Sequence, residues 1–138
     1  MEMTENHCRD IVAQRSGGRC EAVIDYVCTG IAESMHHRRK HGRVWKPSNV
    51  IHVCGSGTTG CHGWIEAHPE KAHSLGLWLW DYEDPDAESI KMRWEHARAW
   101  WWLDDEGLLH YDESAFEPII YSLSAPVRLT EYTTKDPR

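Results

Sequence analysis

Long apolar runs are missing from this 138-residue chain, and none approaches the roughly 20 residues needed to cross a bilayer. The opening MEMTENHCRD also lacks the apolar segment of a secretory signal, so a cytoplasmic protein with no membrane partner is expected. An even cysteine count is absent as well. Five cysteines, four of them flanking a histidine-rich stretch, suit metal ligation in a reducing compartment better than a disulfide framework. Internal repeats and low-complexity segments are lacking too. That leaves one domain of ordinary length, able to bury a core without covalent staples.

A net excess of cations is the remaining absence. The formal charge of −7 argues at first against nucleic acid, whose binding is mostly cation-driven. The distribution reverses that impression. Residues 1–80 carry nine Lys or Arg against eight Asp or Glu (+1), and residues 81–138 carry six against fourteen (−8). Five cations, Arg38, Arg39, Lys40, Arg43 and Lys46, fall within eleven residues and are candidate phosphate contacts, with a plain solvated charge run as the alternative.

What is plentiful is concentrated. Residues 36–62 read HHRRKHGRVWKPSNVIHVCGSGTTGCH: paired histidines, an asparagine thirteen positions after the first, and a Cys-His pair ending thirteen after that. Metal-assisted cleavage of a phosphodiester needs a neutral imidazole to activate water, a divalent cation on the scissile phosphate and leaving oxygen, and a group that aims the imidazole. His37, then His36 with His62, and Asn49 fit those roles in turn. A lone histidine is more often a packed ring, and a lone asparagine a turn residue. Several separated elements in order argue for chemistry.

That order, His-His, Asn, Cys-His with cysteines on either side, resembles the HNH (ββα-metal) endonucleases, and about residues 15–112 look most like the small HNH proteins of tailed bacteriophages. The resemblance implies an α+β fold with a ββα-metal core, preceded by a short helix and followed by a small β-rich extension. It implies DNA as substrate, His37 as general base, Asn49 orienting the His37 ring, and His36 and His62 on a catalytic divalent cation. Cys20, Cys28, Cys54 and Cys61 match the positions of a structural zinc, with four reduced core thiols as the alternative. His36 stands where many members carry aspartate, which favours manganese, nickel or cobalt relative to magnesium. Glu66, one turn after His62, is a further candidate ligand, although a surface acid is the plainer reading. Phage membership would imply genome processing and packaging beside terminase subunits. A homing or restriction-type nuclease and a zinc-stabilised DNA-binding module without catalysis are the alternatives.

Along the chain, residues 1–14 read as a helical arm, 15–76 as the nuclease core and 77–138 as an acidic β-rich extension packing on it. A helix is expected over 5–15, ended by Gly17 and Gly18. A hairpin is expected with strands near 35–38 and 48–54, whose adjacent His36 and His37 must face opposite ways. GSGTTG at 55–60 matches a dinucleotide fingerprint, yet the chain lacks the repeated βαβ units such a sheet requires, so a turn converging Cys54 and Cys61 is the better reading. Two short helical pieces split near Pro69 and closed by Gly76 follow. LWLWDY (77–82), AWWWL (99–103) and LLHYDE (108–113) read as strands, the last two joined by a turn at Asp105, Glu106 and Gly107, and EDPDAESIKMRWEHAR (83–98) as an acidic loop. The middle tryptophan of Trp100, Trp101 and Trp102 must face opposite to its neighbours, which favours packing over base stacking. From Ser122 onward a polar, partly disordered tail is expected.

Overall fold

The computed structural model describes residues 3–94 and 97–120 as an α+β chain with two small antiparallel sheets. Helix α1 spans Glu5–Ser16. Thr4 Oγ1 accepts the His7 N–H, and Gly17, at φ 62°, donates to the Ala13 carbonyl, so both ends are capped by the residue types that favour such caps. Only Cys8, Val12 and Ser16 are buried on this helix, a stripe at four-residue spacing. Cys8 and Val12 pack on Val50, Met35 and Trp45. Burial pushes the Cys8 thiol up to about 11, so it stays a packed, protonated side chain.

Strands β1 (Ser34–His37) and β2 (Val50–Val53) form a hairpin with His36 opposite Ile51 and His37 opposite Val50. The GSGTTG segment then turns the chain into α2 (Gly60–Ala67), followed after a break at His68 by α3 (Pro69–Ser74). The turn needs its glycines. At Gly55 (φ 80°) an added Cβ would lie 2.0 Å from the Thr59 carbonyl oxygen, and at Gly60 (φ 63°) 2.7 Å from that of Cys54. The strand before this turn pairs antiparallel, which excludes the dinucleotide fold.

The second sheet has the order β3 (Ile90–Trp94), β4 (Ala97–Leu103) and β5 (Leu109–Pro118). Its first strand lies in the expected acidic loop, and LWLWDY is not a strand. Leu77 and Leu79 are buried, as the alternation suggests, but their N–H groups bond singly to Ala72 and Arg38, and among the described residues only an isolated bridge between Leu79 and Arg39 forms, with no ladder beyond it. Ile90 and Met92, by contrast, alternate into the core between acidic flanks that obscure the pattern. The β4–β5 turn forms as expected. Asp104 Oδ1 accepts from Glu106 N and Leu108 N at 2.9 Å, and Gly107 sits at φ 89°. Trp101 is buried and donates Nε1–H to the Met92 carbonyl, whereas Trp102 is 41% exposed.

One apolar cluster joins Ile51, Val53 and Ile65 to Leu77, Ile90, Met92, Trp101, Leu103 and Ile119. The core therefore continues across residue 77. The polar tail from Ser122 lies outside the described residues. No helix among them is long and apolar enough to cross a membrane.

Candidate metal centres

Two clusters of metal-ligating side chains lie on either side of the β2–α2 turn. The first is Cys20, Cys28, Cys54 and Cys61, all buried and free of disulfides, with sulfurs within 4.8 Å of one another. Each sulfur also accepts one backbone N–H: Cys20 from Cys54 N at 3.2 Å, Cys28 from Gly30 N at 3.3 Å, Cys54 from Cys61 N at 3.2 Å and Cys61 from Ile24 N at 3.3 Å. N–H donors stabilise thiolate, the form that binds metal. Hydrogen bonding with Cys20 is the largest cause that holds the Cys54 thiol far below its usual range and pushes Cys28 and Cys61 above theirs. The loop between the first pair holds Val23 at φ 41° and Tyr26 at φ 66°, strained positions for side chains with a Cβ. These four cysteines could hold a structural metal such as zinc, in the tetrahedral thiolate set zinc prefers.

The second cluster is His36, His62 and Glu66, with one ligand atom of each within 4.8 Å of the others. His36 Nε2 donates to the Leu77 carbonyl at 2.8 Å, which leaves Nδ1 as a lone pair, buried and without a hydrogen-bond partner. Ser34 Oγ donates to the Gly55 carbonyl, so it accepts from His62 Nδ1 at 2.7 Å and leaves Nε2 bare. Both tautomers are thus fixed by outer contacts, as in metal-ligating histidines. Glu66 Oε2 stands 3.4 Å from His36 Nδ1 and 3.7 Å from His62 Nε2. Two lone pairs and a carboxylate oxygen facing one another repel, the Lys40 ammonium against Glu66 Oε2 offsets part of that repulsion, and burial disfavours a proton on either ring. Desolvation lowers the His36 pKa and holds His62 down to about 4. The donor set fits a divalent cation.

His37 faces the other way, as strand geometry requires. Its ring meets Trp45 edge-on at 4.4 Å, and Nε2 is buried with no hydrogen-bond partner. Burial, then the charges of Arg43, Lys40 and Arg9 and the neighbouring His36 ring, hold its pKa down to about 4, so the ring is neutral at pH 7. Asn49 does not touch it through the hydrogen bonds expected. Its Oδ1 accepts from Arg39 N at 2.8 Å, and its Nδ2 donates to the Arg39 and Val44 carbonyls. This fully buried amide bridges both ends of the 38–49 loop, which carries Trp45.

The cationic stretch also needs correction. Arg38 is fully buried and its guanidinium donates to five carbonyls, those of Gly76, Ser48, Pro85, Glu88 and Ser89, so it cannot reach phosphate. Arg39 donates to the Glu83 carbonyl, Lys40 pairs with Glu66, and Lys46 lies 3.5 Å from Asp105. Arg43, in the loop beside His37, is exposed and has no ion pair among the described residues. Sequence reasoning missed Ser34 and Lys40 as parts of the histidine site. Ser34 lies two residues before His36, on the same strand face, which was the available signal.

Comparison with known proteins finds no matching family model, no matching curated protein and no matching solved structure.

Proposed function

We propose that this protein is a metal-dependent DNA endonuclease of the HNH type. The observation that carries the reading is the convergence of His36 Nδ1, His62 Nε2 and Glu66 Oε2, each ring held in the ligand tautomer, beside a neutral His37. His36, His62 and Glu66 would hold a divalent cation, which supplies charge stabilisation at the phosphate and leaving oxygen when bound. Two imidazoles and one carboxylate suit manganese, nickel or cobalt better than magnesium.

His37 takes the proton from the attacking water. Its depressed pKa keeps the ring neutral, and its Nε2 has no competing donor. Adjacent residues with opposed side chains suit an in-line displacement, in which nucleophile and leaving oxygen lie on opposite sides of phosphorus. The Trp45 ring, which meets the His37 ring edge-on, must shift for water to reach the buried Nε2. The four-cysteine site holds the start of α2, and hence His62, against the hairpin.

Burial of His37 Nε2 favours one competing reading, a zinc-stabilised DNA-binding module without catalysis. The sequence resemblance extends the main reading to phage genome processing with terminase subunits as partners, which co-purification from infected cells tests. The direct experiment is supercoiled plasmid with manganese. Nicking or linearisation by wild type, abolished by EDTA and by His62→Ala, supports the endonuclease; cleavage indifferent to both would overturn it.

A further inference from the structure

Lys40 lies three residues past the end of β1, with its Nζ against Glu66 Oε2 and 5.6 Å over the Trp78 ring. The oxygen it touches is the one that faces His36 Nδ1 and His62 Nε2. Trp78 in turn lies 6.3 Å from the His36 ring. The ammonium therefore stands at the edge of the three-ligand cluster and supplies the positive charge that balances the carboxylate. A dication on Glu66 Oε2 and an ammonium on the same oxygen repel, and a cation with two imidazole donors holds the oxygen more firmly than an exposed ion pair. The Lys40 side chain is 41% exposed and its stem is flexible, so displacement of the ammonium costs little packing.

Resting on the endonuclease reading, we propose that Lys40 is a two-position residue that couples cation binding to substrate binding. In one position it neutralises Glu66. Once a divalent cation takes that oxygen, Lys40 is released beside the site and contacts a non-bridging oxygen of the DNA phosphate. Cation and phosphodiester then bind cooperatively, because each favours the released lysine. Arg43 adds a fixed charge, whereas Lys40 adds one only when the site is loaded.

The test uses the full chain with zinc in place and titrates manganese calorimetrically without DNA. Loss of an ion pair worth at most about 1 kcal/mol predicts that Lys40→Met binds manganese about fivefold tighter than wild type, with Lys40→Arg no tighter. In a His37→Ala background that prevents cleavage, manganese should raise affinity for a short duplex, and Lys40→Met should reduce that gain, leaving the part the cation makes with the phosphate directly. Melting temperature controls for folding. If Lys40→Met binds manganese no tighter while His36→Ala loses it, the lysine inference fails and the metal site stands. If wild-type protein binds no manganese that depends on His36, both fail together.

Discussion

Replacing Arg38 by methionine tests whether this fully buried cation is an anchor or a DNA contact. Its Nε donates to Gly76 O at 2.8 Å, Nη1 to Ser48 O and Pro85 O at 2.9 Å, and Nη2 to Glu88 O at 3.0 Å and Ser89 O at 3.3 Å. These carbonyls come from the hairpin loop, the end of α3 and the 85–89 segment, so one guanidinium ties three stretches together. Methionine fills part of the volume but leaves five acceptors without a donor. Breaking a buried charged network costs about 3–5 kcal/mol, a large part of the roughly 5–15 kcal/mol that stabilises a domain. At this chain length that is on the order of 10–20 °C in melting temperature. Arg38→Lys should recover under half, since an ammonium has three donors and no planar fork. Because Gly76 precedes Leu77, whose carbonyl fixes the His36 tautomer, manganese binding should weaken as well. Urea unfolding followed by tryptophan fluorescence gives the stability directly. A variant that unfolds at the wild-type midpoint and loses only DNA affinity would refute the anchor role.

Purified protein should carry about one zinc, and Cys54→Ser should lower both zinc content and melting temperature, because such sites contribute to folding itself; zinc-free protein melting as the loaded form does would contradict this. In the unfolded chain His37 titrates near 6.5 and in the fold near 4, so stability is full above about pH 6.5 and falls as pH drops toward 4. His37→Gln should accordingly lose less melting temperature than wild type between pH 7 and pH 5, and an identical loss removes the depressed imidazole from the account. Reversing Arg43 should weaken binding to all DNA sequences alike and reduce the salt slope by about 1, with no change in unfolding midpoint; unchanged binding would leave Arg43 a solvated side chain.

Local signals were legible where chemistry and geometry coincide. The helix over α1, the hairpin, the break at Pro69 and the Asp104–Gly107 turn follow from caps, alternation and turn residues. The convergence of Cys54 and Cys61 follows from a glycine turn whose backbone admits no Cβ, whereas joining them to Cys20 and Cys28 came from resemblance. Alternation alone misled at LWLWDY, because it reports burial, and a strand also needs a neighbour with free backbone groups. Charge misled at Arg38, because a sequence shows a cation but not the five carbonyls that long-range folding gathers around it. The expectation that Asn49 would hold the His37 ring came from resemblance. The structure spends that amide on the loop backbone instead. Glu66 gained in weight only once helix α2 brought its oxygen to both imidazoles.

The central claim, a catalytic base beside a separate cation site, is tested most directly by measuring plasmid cleavage and manganese binding on the same samples of wild type, His37→Ala and His36→Ala. His37→Ala removes a proton acceptor and no ligand, so it should bind manganese as wild type does while cleavage falls by at least about a hundredfold. His36→Ala should lose manganese affinity, with cleavage partly restored by excess metal. Cleavage by His37→Ala at the wild-type rate, or equal rescue of both variants by added manganese, would contradict the account.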